Sequence, residues 1–137
     1  MARYAGKLAG MYPEDLAQAL KCDEVMDICL DALGKCPSPP DADEKKRLRE
    51  EYAAGRLKEY TALLDSRLAG PFVLGDAVCV ADFVLYYFLV KMLRDGQFDH
   101  VPADYCDAFP KLVSFEATMA VAPAIVAWQT HRAGPSL

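Results

Sequence analysis

The chain has 137 residues, 53% of them hydrophobic and 26% charged, with a net charge of −5 at pH 7. This length and composition are typical of one globular domain with a single core, and the negative charge argues against a nucleic-acid surface, which needs clustered Lys and Arg. The longest apolar run, residues 83–90, is far shorter than the roughly 20 residues that cross a bilayer, so no membrane partner is expected.

Apolar residues recur at helical spacing along most of the chain, and no stretch has the alternation typical of a strand. Proline and glycine supply the breaks, above all in "CPSPPDAD" and at Gly96. The sequence therefore predicts an all-α fold, a bundle of about five to six helices. The predicted helices cover residues 2–10, 13–35, 43–70, 79–95, 110–122 and 123–132.

Five cysteines without a CxxC pair argue against a disulfide framework and against a metal site. Cys22, Cys29 and Cys36 are seven residues apart, so on one helix neighbours are roughly 10 Å apart, beyond disulfide reach. The N-terminal "MARYAGKLAG" lacks the apolar block of a signal peptide. A reducing, cytoplasmic location without a bound metal is expected, and Cys36, beside the proline-rich break, is expected to be exposed and the most reactive thiol.

The stretch "GDAVCVADFVLYYFLV", residues 75–90, places an aspartate at the start of a helix that is apolar nearly all round. With Cys79 as N-cap, Asp82 falls at the third helical position, Val78 lies before the cap and Phe83 is at the fourth position. This spacing predicts a capping box in which the Asp82 carboxylate accepts from the Cys79 backbone N–H, closed by Val78 packing on Phe83. Asp82 is therefore interpreted as structural, and the helix as the buried centre of the bundle.

The same stretch resembles the G-x-x-hydrophobic-[Ser/Thr]-x-Ala-Asp-hydrophobic box that opens the central helix of the glutathione S-transferase C-terminal domain, with Cys79 in the Ser/Thr position. Other segments agree in order along the chain. "ARYAGKLAGMYPED" is similar to the last helix of the family's N-terminal domain with its linker, and "QALKCDEVMDICLDAL" to the first C-domain helix. "FPKLVSFEATMAVAPAIVAWQTHR" resembles the closing helices, in a form nearest to the sigma class.

The resemblance implies that residues 1–10 are the end of a missing thioredoxin-like domain plus linker, and that residues 11–137 form the all-α C-terminal domain. In that family the thioredoxin-like domain holds most of the glutathione site and the residue that activates the thiol. The chain therefore looks truncated, is expected to be inactive alone, and is expected to expose apolar surface where the missing domain would pack. The full-length form is expected to be a homodimer that conjugates its co-substrate glutathione to electrophilic small molecules.

Three aspartates, Asp23, Asp27 and Asp31, are four residues apart along one stripe of the first long helix. The stripe is either a solvated acidic face or part of a binding site. In the family, the aspartate that matches Asp31 reaches across the dimer toward the glutathione amino group, which makes Asp31 the candidate glutathione-binding residue. Some sigma-class members bind a divalent cation here, but one of those positions is Leu30 in this chain, which argues against a metal.

The resemblance also suggests where an acceptor substrate would bind. Leu33 and Cys36 match positions of the family's second-substrate pocket, and Tyr105 is a looser candidate. Ordinary packing is the alternative for each of the three, and no residue is assigned a catalytic role.

The remaining candidates are interpreted as structural. His100 and His131 have no triad partner at a suitable spacing and are read as surface residues, and Trp128 with Ile125 as a core anchor. Two functions stay open: part of a glutathione transferase, and a non-catalytic interaction module that needs only helix-on-helix docking. A free-standing ligand-binding bundle is the least favoured third alternative.

Overall fold

The structure, a computed structural model, describes residues 1–133, and this part of the chain folds into helices and connecting turns without a β-strand. Its helices are α1 (Ala2–Leu8), α2 (Leu16–Lys35), α3 (Ala42–Ala54), α4 (Arg56–Arg67), α5 (Val80–Tyr87), α6 (Pro110–Ala120) and α7 (Pro123–Ala133). A π-helical segment, Phe88–Arg94, continues α5, and a 3₁₀ turn, Tyr105–Ala108, precedes α6. The predicted all-α fold is confirmed, and residues 134–137, which end the predicted domain, lie outside the described residues.

The helix starts follow local sequence chemistry. The side chains of Asp15 and Asp41 cap α2 and α3, each accepting from a backbone N–H three residues on, at 2.9 and 2.8 Å. Helices α6 and α7 begin with Pro110 and Pro123, whose missing N–H has no helical partner to lose in a first turn. The predicted starts of α3, α6 and α7 agree with the structure to within one residue, whereas α2 begins at Leu16 and not at the predicted residue 13, because Asp15 is its N-cap.

The helix α5 with its π-helical continuation is the buried centre of the bundle. Its inward side chains have almost no solvent exposure: Ala81, Leu85, Phe88, Leu89 and Leu93. Helix α2 packs along it, and α1 crosses its beginning. The segment stops at Gly96, whose φ of +73° is a left-handed conformation that glycine adopts without a steric cost.

One predicted helix is two in the structure. Residues 43–70 were expected to form a single helix, but the chain turns at Gly55 and α3 and α4 pack against each other. Glycine is the weakest helix former after proline, so it is a natural place to break. The fold-back lets Tyr52 from α3 and Leu57 and Leu64 from α4 all reach the core, which a straight helix of that length would prevent.

The last two helices are joined by a sharp bend. Within residues 1–133 no single helix is long and apolar enough to cross a membrane, although α6 and α7, bent by 62°, pass a length and composition test when taken together.

Candidate functional site

Asp31 lies exposed near the end of α2 and is held by two neighbours. The Lys35 ammonium donates to its carboxylate at 2.8 Å, and the Tyr60 hydroxyl from α4 lies 3.4 Å from the same oxygen. Lys35 also donates to the Tyr60 hydroxyl at 3.1 Å. The Lys35 ammonium holds the pKa of the Asp31 carboxyl below its usual value, so Asp31 is an ionised acceptor at neutral pH.

The other two acids of the stripe, Asp23 and Asp27, form ion pairs with Arg3 of α1. The Arg3 guanidinium donates from Nε to Asp23 at 2.7 Å and from Nη2 to Asp27 at 2.6 Å. The Tyr12 hydroxyl donates to the second oxygen of Asp23 at 3.0 Å. We call these four residues the Arg3 cluster. Sequence reasoning missed it because the partners are 20 and 24 residues apart, and only the tertiary structure brings them together.

Helix α1 also contacts the beginning of α5. Gly6 lies so close to Val80 that a Cβ added to it would stand 2.8 Å from the Val80 Cβ. In the linker, the Met11 carbonyl accepts from the Val80 N–H at 2.9 Å. Residues 1–11 are therefore an integral part of the packed bundle rather than a loose extension.

Asp82 is completely buried at the start of α5 and receives two backbone hydrogen bonds. Its carboxylate accepts from the Cys79 N–H at 2.7 Å and from the Val73 N–H at 2.8 Å, and the reciprocal capping contact to the Cys79 sulfur is present. Burial raises the pKa of Asp82 above the usual carboxyl value, while the two N–H donors act in the opposite direction. Asp82 thus joins the loop before α5 to the helix start. Val78 and Phe83, which the sequence predicts to pack on each other, are both half-buried.

Two of the three candidates for an acceptor pocket, Cys36 and Tyr105, lie near the α3 tyrosine, Tyr52. The buried Tyr52 hydroxyl donates to the Ala32 carbonyl at 2.7 Å, one residue before the half-buried Leu33. Burial raises the pKa of Tyr52, and nearby Cys36 and Tyr105 raise it further. The Tyr105 hydroxyl itself donates to the Ala53 carbonyl at 2.6 Å. Leu33, Cys36 and Tyr105 are thus partly buried against the core, and none of the three lines the groove described below.

The thiols are not poised as nucleophiles. Burial raises the pKa of all five cysteines, to about 12 for Cys29 and Cys106. Cys36 is only half-buried, yet desolvation still raises its pKa despite the nearby Arg49 and Lys45. Cys36 was expected to be exposed, but it is half-buried because its side chain packs against the core. The other four cysteines are buried, and the expectation that Cys36 is the most reactive of the five thiols stays a prediction.

An open groove of about 640 Å³ lies between the α5 segment and α7. We call it the α5/α7 groove. Its apolar lining is rich in aromatic rings and consists of Phe83, Tyr86, Tyr87, Val90, Ile125 and Trp128. Lys91 and Gln129 add polar groups to the lining. Trp128 is 44% exposed, so its reading as a core anchor is wrong, whereas Ile125 is buried. The sequence analysis did not find this groove, because the spacing of Phe83, Tyr87 and Val90 places them on one helix face but does not show that this face is left open.

The two histidines and the possible metal ligands form no catalytic or metal centre within residues 1–133. His100 and His131 are exposed, as expected from the sequence. Among the residues that the structure describes, no group of three or more His, Cys, Asp or Glu side chains is arranged to hold a metal ion.

Comparison with known proteins places the chain in a family. The family model for the glutathione S-transferase C-terminal domain matches residues 29–132. No curated protein sequence matches the chain. Among solved structures, rat hPGDS complexed with a quinoline superposes with a TM-score of 0.79 at 23% identity, covering 98% of this chain and 65% of that one.

Two further structures have the same fold. A pi-class glutathione S-transferase from Onchocerca volvulus gives a TM-score of 0.75 at 20% identity, covering 96% of this chain and 62% of that one. A glutathione transferase homologue from Sulfitobacter, with bound glutathione, gives 0.71 at 18%, covering 94% and 70%. The chain thus spans less than two thirds of the rat and Onchocerca proteins. Because the family model covers most of its length, the chain belongs to the glutathione S-transferase C-terminal domain family.

Proposed function

We propose that this domain is the acceptor-substrate half of a cytoplasmic glutathione transferase, working with a thioredoxin-like domain that supplies the thiol-activating residue. The observation that carries the proposal is the family match over residues 29–132, and the bound glutathione of the Sulfitobacter homologue supports the choice of co-substrate. The reaction would join the glutathione sulfur to an electrophilic small molecule. Its rate would be raised by the proximity of the two bound substrates and by stabilisation of the glutathione thiolate. The closing segment of the sequence supports a sigma-like class.

Within that function, Asp31 would contact the glutathione amino group across a homodimer interface. Its exposure and its lowered pKa suit a carboxylate that receives an ammonium group. Lys35 competes for the same oxygen at 2.8 Å, so glutathione binding would exchange one cation for another. Asp31 therefore acts in binding rather than in the chemical step.

The Asp31 role is tested on the protein extended upstream by its thioredoxin-like domain. Asp31→Ala should raise the KM for glutathione about 5- to 50-fold, which corresponds to a lost charge-assisted hydrogen bond of roughly 1–2.5 kcal/mol, with a small effect on kcat. Lys35→Ala is the matched control, because it removes the competing cation and should leave that KM unchanged or lower it. An unchanged KM in Asp31→Ala would remove Asp31 from the site.

Leu33, Cys36 and Tyr105 would border the acceptor substrate at the end of α2. The proximity of Cys36 and Tyr105 to the Tyr52 phenol supports this placement for those two residues. Cys36→Ser and Tyr105→Phe should then change the KM for the electrophile but not for glutathione. A change in stability alone would assign the three residues to packing.

A non-catalytic interaction module remains the second candidate, favoured by one observation. Helix α2 exposes Leu16, Leu20 and Leu30 on its outward side, which suits docking of another helix as well as it suits a homodimer. An extended protein that binds no glutathione and conjugates nothing would favour this second function.

A further inference from the structure

Two of the five cysteines meet in the core, and neither forms a disulfide. Cys22 on α2 and Cys79 at the N-cap of α5 are 0% and 4% exposed, and a side-chain hydrogen bond joins the two thiols. Both are free cysteines. Because α2 packs along α5, these two residues, which we call the Cys22/Cys79 pair, lie where the two helices touch.

The start of α5 surrounds the two sulfurs with polar groups. The Ala81 N–H donates to the sulfur of Cys22 and to that of Cys79. The Cys79 thiol can donate either to the Cys22 sulfur or to the buried Asp82 carboxylate. Burial raises the pKa of Cys22, and its two hydrogen-bond donors act in the opposite direction. Of the two sulfurs, Cys22 is therefore the one whose thiolate is better supported.

Capping alone does not explain a cysteine at position 79. An N-cap side chain serves the helix by accepting a hydrogen bond from a backbone N–H, and oxygen is a much better acceptor than sulfur. A hydroxyl at this position would cap α5 better than Cys79 does. What the sulfur adds is redox chemistry, and it adds it next to a second sulfur.

A cavity borders the residues next to the pair. It has a volume of about 430 Å³ and lies between α2, the end of α4 and the loop before α5, with Lys21 and Val73 in its lining. Lys21 precedes Cys22 in the chain, and the Val73 N–H donates to Asp82. A small neutral molecule that enters this cavity is thus close to the two sulfurs.

We propose that the Cys22/Cys79 pair is a redox site, which hydrogen peroxide or another small hydroperoxide converts into a disulfide that joins α2 to the start of α5. In the first step the Cys22 sulfur attacks a peroxide oxygen, the O–O bond breaks, and the released hydroxide takes the thiol proton to form water. The Cys79 sulfur then attacks the sulfenic acid of Cys22, the S–O bond breaks, and the Cys79 proton leaves with the hydroxide as a second water. Two thiols are oxidised by two electrons, and one peroxide is reduced to two waters.

The surroundings determine when this reaction takes place. Burial raises the pKa of both thiols, so the first step is slow and the pair stays reduced until the oxidant is abundant. The second step is intramolecular and needs no further reagent. Asp82 keeps its bonds from the backbone N–H groups of Cys79 and Val73 throughout, so the start of α5 stays formed in the oxidised protein.

The test is a disulfide map of the folded chain after treatment with hydrogen peroxide. Catalase stops the reaction, and N-ethylmaleimide in denaturant then blocks the remaining thiols. We expect two fewer blocked thiols than the five of the untreated chain, a linked peptide that contains Cys22 and Cys79, and recovery of all five with dithiothreitol. A link through Cys36 instead, or oxidation to sulfinic acid without any link, would overturn the proposal.

Variants assign the link to one pair of sulfurs. Cleavage after Lys21 and Lys35 leaves Cys22 and Cys29 in one peptide, so Cys29→Ala is the matched control and should keep the link. Cys22→Ala should abolish it, and so should Cys79→Ser, which retains a good N-cap and is checked for folding by far-UV circular dichroism. A link that survives Cys22→Ala, or that is lost in Cys29→Ala, would overturn the assignment.

The oxidised chain should also resist unfolding better than the reduced chain. A bond between positions far apart in the sequence restricts the unfolded chain, so the urea midpoint should rise on oxidation and return with dithiothreitol. A lower midpoint in the oxidised chain would contradict a link that fits the native contact of α2 and α5. None of these readouts needs glutathione or an upstream domain, so the redox site and the transferase function are tested independently.

Discussion

At the scale of single residues, Asp82 shows how local spacing and tertiary contact combine. The capping bond to Cys79 follows from three residues of sequence, and it is present. The second bond, to Val73, spans a nine-residue separation, and no short-range rule indicates it. The Arg3 cluster is a stronger case of the same limit, because its ion pairs exist only once the tertiary structure brings Arg3 of α1 next to α2.

Replacing Asp82 should cost more than replacing any exposed acid. Asp82→Ala leaves two buried backbone N–H groups without an acceptor, and each such group costs about 1–3 kcal/mol, so the free energy of unfolding should fall by about 2–6 kcal/mol. Asp95→Ala, an exposed acid at the end of the same segment, should stay within about 1 kcal/mol of the parent. Urea denaturation measures both, and similar losses for the two variants would remove Asp82 from its structural role.

The raised thiol pKa of Cys36 predicts slow alkylation. Because only the thiolate reacts, iodoacetamide should label Cys36 more slowly than free cysteine at pH 7, by roughly tenfold for each unit of pKa increase. The labelling rate should keep rising above pH 9, where that of free cysteine levels off. Cys36→Ser identifies the labelled site by mass spectrometry, and a rate at pH 7 equal to that of free cysteine would refute the prediction.

At the scale of helices, the periodicity of apolar residues predicts most of the fold and fails where packing decides. The starts of α2, α3, α6 and α7 carry their own signals in Asp and Pro. The break at Gly55 was missed because the leucine and tyrosine pattern continues through it. Trp128 was misassigned because helical spacing tells which residues share a face, but not whether that face is covered.

The close approach of α1 to α5 gives a prediction at this scale. Gly6→Ala should disfavour docking of α1 by about 1–3 kcal/mol, because the new methyl group overlaps Val80, even though alanine is the better helix former. Hydrogen exchange of the α1 amides, followed by mass spectrometry, should then become faster. Val80→Ala introduced on the Gly6→Ala background makes room for the methyl group and should slow the exchange again; exchange that stays fast in the double variant would rule out steric overlap as the cause.

At the scale of the whole molecule, the family and the all-α fold were predictable, and the arrangement of the site was not. The box around Asp82 and the closing helices are local patterns that survive at low identity, and they indicated the family that the match over residues 29–132 confirms. The α5/α7 groove and the Arg3 cluster depend on how helices are placed in space. Residues 1–11 illustrate the difference: the sequence marks them as a helix and linker, and only the structure shows them hydrogen-bonded to α2 through Arg3 and packed on α5.

The central claim, that this domain supplies one half of a glutathione transferase, is tested most directly by the rate of glutathione conjugation to an aryl halide such as chlorodinitrobenzene. The rate is compared for this chain and for the upstream-extended protein at equal concentration. The chain alone should show the buffer rate, because the proposed function assigns the thiol-activating residue to the thioredoxin-like domain. The extended protein should exceed that rate by at least a hundredfold; conjugation by the chain alone, or none by the extended protein, would contradict the claim.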